Sequence, residues 1–240
     1  MTAIAWTTEP LGEDGLLLRL GSSIDAATNQ QVHALAAHIG RLRPEWLREI
    51  VPAYATLGLF IDPEHVQARG RSASELLAPL LARLDPTNAA SVPAPLLPVA
   101  QIPVCYEGEC APDLAEMARY LELDEGTLVA RHCAALYTVA MIGFAPGFPY
   151  LLGMDPTLAM PRKASPRTVV PAGSVAIGGS QTGIYPSQSP GGWQLIGRTP
   201  IRLFAPDRTP PALLCPGQPV RFVPISLRDY HHACAGAADA

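Results

Sequence analysis

The 240-residue sequence has a single lysine, Lys163, five cysteines without a C-x-x-C pair, and no acidic residue between Asp155 and Asp207. An odd cysteine set (Cys105, Cys110, Cys133, Cys215, Cys234) at such spacings speaks against a disulfide scaffold and a zinc site, and reads as thiols without a catalytic role. No apolar run approaches the roughly 18 residues of a membrane helix. The opening MTAIAWTTEPLGED carries acids where a secretory signal carries early basic charge, so the expected location is cytoplasmic, without a membrane partner. The patterns G-x-x-x-x-G-K-[ST], G-x-G-x-x-G after a strand, G-x-S-x-G and H-E-x-x-H are absent. That removes the conventional P-loop, the dinucleotide fingerprint, the nucleophile elbow and the zinc-peptidase helix. No metal site is expected. Charged residues make up only 16% and the net charge is −4, so nucleic acid is not an expected partner; with 48% apolar residues there is ample material for buried cores.

The charge that is present is unevenly placed. Arg162, Lys163, Arg167, Arg198 and Arg202 give the acid-free stretch 156–206 a charge of +5, which leaves −9 for the rest of the −4 chain. Positive potential concentrated in one segment suits a small anionic guest.

Two domains are expected from the length. AIAWT (3–7) and DGLLLRL (14–20) read as strands. A helix begins near Asp25, with Val32, Leu35, Ile39 and Leu42 at helical spacing and Pro44 as its stop. REIVPAYATLGLFID (48–62) reads as a strand or strand pair, and Ser72 with Glu75 forms capping-box spacing before a helix over about 73–84. DPTNAASVPAPLLP (85–98) has no periodicity. The expected division is an N-terminal α/β domain over 1–88, a linker over 89–98, a second, strand-rich domain over 99–229 and a flexible tail over 230–240, an α+β fold overall. In the second domain QIPVCY reads as a strand, PDLAEMARYLEL as a helix with Pro112 in its first turn, and Asp124 opens a further helix to about Ala134. From Gly143 to Pro200 glycine and proline supply 19 of 58 residues, and short apolar bursts between them indicate a barrel or sandwich of short strands.

Three stretches could carry chemistry. GFAPGFPYLLGMD (143–155) alternates Gly-Phe pairs with prolines, which reads as a stiff pocket wall bearing Phe144, Phe148 and Tyr150, or equally as an aromatic-packed corner. PRKASPRTVVPAGS (161–174) brackets Ser165 and Lys163 with Arg162 and Arg167; guanidinium forks grip carboxylates and phosphates, and the same residues would also suit an exposed basic loop. GGSQTGIYP (178–186) offers backbone donors at Gly178 and Gly179 in the manner of an anion nest, with Gln181, Thr182 and Tyr185 as hydrogen-bonding side chains and Arg198 downstream. The alternative is two tight turns. His132, on a helix before the strand leading to the Gly-Phe loop, could act as an acid or base, although a lone histidine there also reads as structural.

Taken in order and spacing, GFAPGFPYL, PRKASPRTVVPAGSVAIGG, QTGIYP and SPGGWQLIGRTP resemble the allophanate hydrolase subunit 1 family, also called the KipI or carboxyltransferase C/D family. The likeness extends upstream through IPVCYEGECAPDLAEMA and RHCAALYTV and downstream through LCPGQPVRFVPI, nearly the whole chain. It implies a cyclophilin-like barrel after an N-terminal α/β domain. It also implies a role within a complex coupling ATP hydrolysis to the opening of 5-oxoproline, inactive alone, beside a sister carboxyltransferase-like chain (the allophanate hydrolase subunit 2 type, or its oxoprolinase counterpart) and a third, LamB/YcsF-like chain. ATP, expected as Mg-ATP at a site shared with the sister chain, is the implied cofactor. On this resemblance Arg162, Arg167 and Arg198 are expected to bind anions, Gly178 and Gly179 to donate from the backbone, Gln181 and Thr182 to orient the ligand, and His132 and Arg167 to act in catalysis. Gln218 stands where relatives usually carry an acid, which implies a lost turn hydrogen bond. The same family also contains biotin-dependent allophanate or urea carboxyltransferase halves and histidine-kinase inhibitors, and both remain alternative roles.

Overall fold

Asp25 accepts a hydrogen bond from the Thr28 N–H at 2.8 Å and so starts α1, Ala26–Leu42. In the computed structural model, which describes residues 5–84 and 97–238, this helix lies on an antiparallel sheet of strands β1 (Thr7–Leu11), β2 (Gly15–Arg19), β3 (Leu47–Pro52) and β4 (Thr56–Ile61), ordered β1-β2-β4-β3. Alternation decides which strand residues meet the helix: Leu16 and Leu18 of β2 and Leu57, Leu59 and Ile61 of β4 are buried against Val32, Leu35 and Ile39 of α1. Leu77 and Leu80 of α3 (Ala73–Ala82) complete that core. The capping box at Ser72 and Glu75 forms as the sequence suggests. In this unit one helix escapes the sequence reading: α2, Pro63–Arg69, is a short element whose signals are Asp62 as N-cap, Pro63 in the first turn and Gly70 in the left-handed conformation behind it.

The chain divides by its contacts into Met1–Leu96 and Leu97–Ala240. Most of the expected linker lies outside the described residues. The second unit is a closed seven-stranded barrel, ordered β10-β7-β6-β13-β5-β12-β9. Its strands are β5 (Ala100–Cys105), β6 (Tyr137–Ile142), β7 (Pro149–Leu152), β9 (Ser174–Gly178), β10 (Gln181–Ile184), β12 (Gln194–Arg198) and β13 (Pro219–Ile225). A separate ribbon pairs β8 (Arg167–Val170) with β11 (Ser189–Gly191). Helices α4 (Leu114–Tyr120) and α5 (Glu125–Ala134) precede β6. The α+β architecture expected from the sequence is thus the one observed.

Inward residues of the barrel, among them Ile102, Val104, Tyr137, Val139, Leu151, Val175, Ile177, Ile184 and Phe222, form one core. Outward residues of the same wall pack a second, smaller cluster: Ala176, Leu195, Phe148, Tyr185 and Trp193. Every residue of β9 is buried because both of its faces are covered.

Four expectations change. The first strand, expected over 3–7, is Thr7–Leu11 and runs through Pro10. The first helix of the barrel unit starts after Asp113, not at Pro112, because Asp113 spends its carboxylate elsewhere and gives the helix only its backbone carbonyl, which accepts from the Met117 N–H. The C-terminal stretch expected to be a flexible tail is helical instead: α6, Leu227–Ala238, starts with Ser226 accepting the Asp229 N–H and buries Tyr230 against Cys105 and Cys110. Finally, Gln218 loses no turn bond, since its side-chain carbonyl accepts from the Cys215 N–H at 3.2 Å.

Candidate functional site

His132 and Thr182, two residues the sequence singles out, come together inside the barrel. Thr182 shares its face of β10 with Ile184, so period-two alternation aims it inward, where it meets His132 from α5. The imidazole is fully buried and stacks on Phe222 at 4.5 Å. The hydrogen bonds around it run in one direction. The Cys133 thiol donates to the Tyr106 hydroxyl (3.5 Å), which donates to His132 Nδ1 (2.8 Å). His132 Nε2 then donates to Thr182 Oγ1 (3.3 Å), and Thr182 donates to the Ala176 carbonyl (3.0 Å). Each proton has an acceptor only if the imidazole is neutral with its proton on Nε2. Burial enforces the neutral form by lowering the pKa to about 3. The expected acid or base is therefore enclosed and fully partnered, and the expected orienting threonine is its partner.

The basic loop 161–167 is also more engaged than its sequence suggests. Asp113, 2% exposed, accepts from Arg167 Nη2 at 2.6 Å, from the Leu195 N–H at 2.7 Å and from Lys163 Nζ at 3.0 Å. Desolvation alone would raise its pKa, but Arg167, the Leu195 N–H and Lys163 outweigh it and hold the carboxyl below its ordinary value. Lys163 also reaches Glu116 at 3.3 Å. The segment that lacks acids in sequence thus meets two acids in space, both from the preceding helix region. Arg167 and Lys163 are structural ion pairs that pin the loop, assisted by Lys163 N–H to Gly192 O (2.7 Å) and Gln194 Nε2 to Pro161 O (2.9 Å). Ser165 is exposed beside them and lines, with Glu116, Lys163 and Gln194, a shallow hollow of about 460 Å³.

The glycine-rich turn is likewise committed. The Gly179 N–H donates to Met160 O at 2.8 Å, so it is not a free anion donor. Gly178 and Gly191 are explained by packing: a Cβ at Gly178 would stand 2.6 Å from Trp193 Nε1, and one at Gly191 would stand 2.3 Å from the Tyr185 hydroxyl. Glycine lets the rings sit against the backbone. Gln181 is half-buried at the hairpin's end. Arg198 lies at the opposite end of β12 from Gln194, about 13 Å away at strand rise, with its Nε donating to Ala172 O at 3.0 Å.

Within the basic loop the charged side chain without an ion pair is Arg162, while Arg167, although paired with Asp113, keeps Nη1 buried without a hydrogen-bond partner among the described residues. Arg162 has no ion pair or hydrogen bond among the described residues, and its guanidinium lies 5.6 Å from the Trp193 ring centroid. It overlooks a cavity of about 260 Å³ walled by Phe144, Phe148, Tyr150, Tyr185 and Trp193, with Pro190, Gly191 and Gly192 at the rim. The rings pack edge to face: Phe148 meets Tyr185 at 5.2 Å and Trp193 at 5.8 Å. Burial raises the pKa of Tyr185 and Tyr150, and Arg162 pulls both back down. Phe144 is 68% exposed with φ +70°, a left-handed conformation that a non-glycine residue rarely holds without a purpose. Of the sequence-selected residues, the structure gathers Phe144, Phe148, Tyr150, Arg162 and Tyr185 here. The sequence reading does not name Trp193, a buried member of the aromatic cluster, or Asp113 as a site residue. The SPGGW turn is the available signal for the first, while nothing local marks the second.

A family model described as carboxyltransferase domain, subdomain C and D, matches residues 6–214. A Bacillus subtilis protein named as one of the subunits of 5-oxoprolinase is 40% identical, over 95% of this chain and 96% of that one. Among solved structures, TTHA0988 superposes with a TM-score of 0.76 at 40% identity over 88% of this chain, which spans only 40% of that longer protein. The K. lactis urea amidolyase has a TM-score of 0.70 over 95% of this chain and 15% of its own, and at 19% identity that likeness concerns the fold alone.

Proposed function

The chain belongs to the carboxyltransferase domain, subdomain C and D, family, and from that premise we propose that it is one subunit of an ATP-dependent 5-oxoprolinase, contributing the site for the lactam substrate. The observation that carries this reading is the single unpaired guanidinium over an aromatic cavity, in a chain 40% identical along nearly its whole length to a protein named as a 5-oxoprolinase subunit. At about 260 Å³ the cavity falls below the roughly 300–1,000 Å³ of drug-sized sites, the scale of one small ring. 5-Oxoproline is such a ring with one carboxylate. Arg162 would take that carboxylate in its fork, and Phe144, Tyr150 and Trp193 would hold the ring faces and keep water away while the lactam carbonyl is activated.

ATP, when bound, would supply a phosphoryl group that activates the lactam carbonyl towards water; ring opening then breaks the C–N bond and releases phosphate. The residues around this cavity do not fit a triphosphate: Lys163 and Arg167 are neutralised by Asp113 and Glu116, which leaves one guanidinium for one carboxylate. No step is therefore assigned to ATP at this cavity. A sister carboxyltransferase-like subunit and a LamB/YcsF-like subunit would complete the reaction, and the chain alone would be inactive.

Glutamate release from 5-oxoproline and ATP tests the proposal, measured with this chain, with its sister subunits, and with the full mixture. Turnover only in the full mixture, lost with Arg162→Ala in a chain that still folds and assembles, is the expected result. No turnover in a folded, assembled mixture would exclude it and favour the carboxyltransferase or kinase-regulator roles.

A further inference from the structure

We infer that the Tyr185 hydroxyl donates a hydrogen bond to the ring carbonyl of the molecule in the aromatic cavity, so that Tyr185 selects a cyclic amide where Arg162 selects only a carboxylate. The inference rests on the 5-oxoprolinase reading for the identity of the ligand, and deepens it by assigning that ligand's second polar group. The cavity wall holds no carboxylate: its polar side chains are Arg162 and the phenols of Tyr150 and Tyr185, set among Phe144, Phe148 and Trp193. A wall that carries hydroxyls and a guanidinium but no acid suits a guest whose polar atoms are acceptors. A lactam acid has two such groups, the carboxylate and the ring carbonyl. One guanidinium meets the first, and in an apolar cavity an unmet carbonyl costs the hydration it has lost.

Tyr185 is placed for the second by its neighbours. It follows Ile184, the last residue of β10, whose side chain faces the barrel core, so a one-residue step turns Tyr185 to the outer cluster. Its backbone is fixed on both sides, the N–H donating to Ser174 O at 2.9 Å and the carbonyl accepting from the Gly173 N–H at 2.7 Å. The ring meets Phe148 edge to face at 5.2 Å, which leaves the hydroxyl little freedom. It lies against Gly191 at the cavity rim: a Cβ there would stand 2.3 Å from the hydroxyl oxygen, so glycine at this position is what lets the phenol reach the cavity. The Trp193 backbone N–H donates to that oxygen, which turns the hydroxyl proton away from it, and no acceptor for the proton is found among the described residues. Burial raises the pKa, Arg162 draws it back, and the balance stays above the ordinary value, so the phenol is neutral and keeps its proton to donate. A neutral donor held in one place beside the guanidinium gives the cavity two separate points of recognition for one small ring.

Calorimetric titration of the full chain tests the assignment, with 5-oxoproline and with cyclopentanecarboxylate, which keeps the ring and the carboxylate and lacks the amide. The proteins are the natural chain, Tyr185→Phe and Arg162→Ala, with Tm recorded for each. The ratio of the two affinities is the readout, because changes in packing act on both ligands and cancel. Tyr185→Phe should lower the preference for 5-oxoproline about tenfold, the order of one hydrogen bond, while cyclopentanecarboxylate binds as before. Arg162→Ala should weaken both ligands alike. A preference that falls less than about threefold, an equal loss of both ligands in Tyr185→Phe, or no binding of 5-oxoproline would each overturn the inference. Glutamate release in the full mixture is read separately. Turnover with an unchanged preference sinks the carbonyl contact alone, and a Tyr185-dependent preference without turnover sinks the 5-oxoprolinase reading alone.

Discussion

The two faces of the β9–β10 wall use polar chemistry in opposite ways. Inward, His132, Thr182, Tyr106 and Cys133 close a chain in which every donor has an acceptor and no charge survives. Outward, Ala176 and the glycines make room for rings, and Arg162 is left with its charge unpaired. Histidine and threonine, the residue types that suggest catalysis, are spent on holding the barrel together; one arginine among aromatics is what remains for a ligand. Strand parity, more than residue type, sorts structure from site, because a one-residue step moves a side chain from one face to the other.

The largest effect should come from breaking the tie between the basic loop and the barrel. Asp113→Ala leaves Lys163 and Arg167 without their shared carboxylate, and truncating one partner of a buried ion pair costs about 3–5 kcal/mol. Urea unfolding would measure it, and a loss below about 1 kcal/mol, the range of an exposed pair, would show that the loop is not held this way. Gly191→Ala should cost about 1–3 kcal/mol through overpacking, because the new methyl would meet the Tyr185 hydroxyl at 2.3 Å. Adding Tyr185→Phe removes that oxygen and should restore part of the loss; an unrelieved double variant would place the strain elsewhere.

The inner network predicts a pH dependence. Folded His132 stays neutral down to about 3, whereas in the unfolded chain it takes up a proton near its ordinary value of 6.5. Between those values the unfolded state binds more protons, so the stability it contributes is complete above 6.5 and drains away as pH falls. The loss at pH 5 should be about 2 kcal/mol. His132→Gln should flatten the stability profile between about pH 6.5 and 5, above the range where carboxylates titrate. An unchanged slope would mean that the buried imidazole is not the titrating group.

Much of this molecule is legible in its sequence. The cap at Asp25, the box at Ser72 and Glu75, and the alternation of short apolar bursts with glycine and proline are local signals, and local signals fix the helices and the strand-rich second unit. The site is half legible. Phe144, Phe148, Arg162 and Tyr185 lie within the stretches that stand out, yet the acid-free window misleads, because Asp113 lies 54 residues from Arg167 in sequence and 2.6 Å from it in space. Charge counted along a chain says nothing about which charges meet. The C-terminal helix escapes for a related reason: its stabilising contacts are long-range, Tyr230 against Cys105 and Cys110 and Leu227 N–H to Glu107.

The smallest effect on stability should accompany the largest on function. Arg162 is exposed and makes one contact of cation–π type with Trp193, worth about 0.5–1 kcal/mol, so Arg162→Ala should shift urea unfolding by no more than that. If the guanidinium serves the fold as Arg167 does, the loss will instead approach that of Asp113→Ala, and the contrast between the two faces collapses. Arg162→Lys separates charge from shape. The ammonium keeps the positive potential over the cavity but cannot match a carboxylate with two parallel donors. Partial recovery of 5-oxoproline affinity by lysine would identify a charge requirement, and recovery equal to arginine would remove the fork from the account of recognition. Lysine no better than alanine is the expected outcome, because a ring bound in a small rigid cavity leaves its carboxylate only one orientation in which to be met.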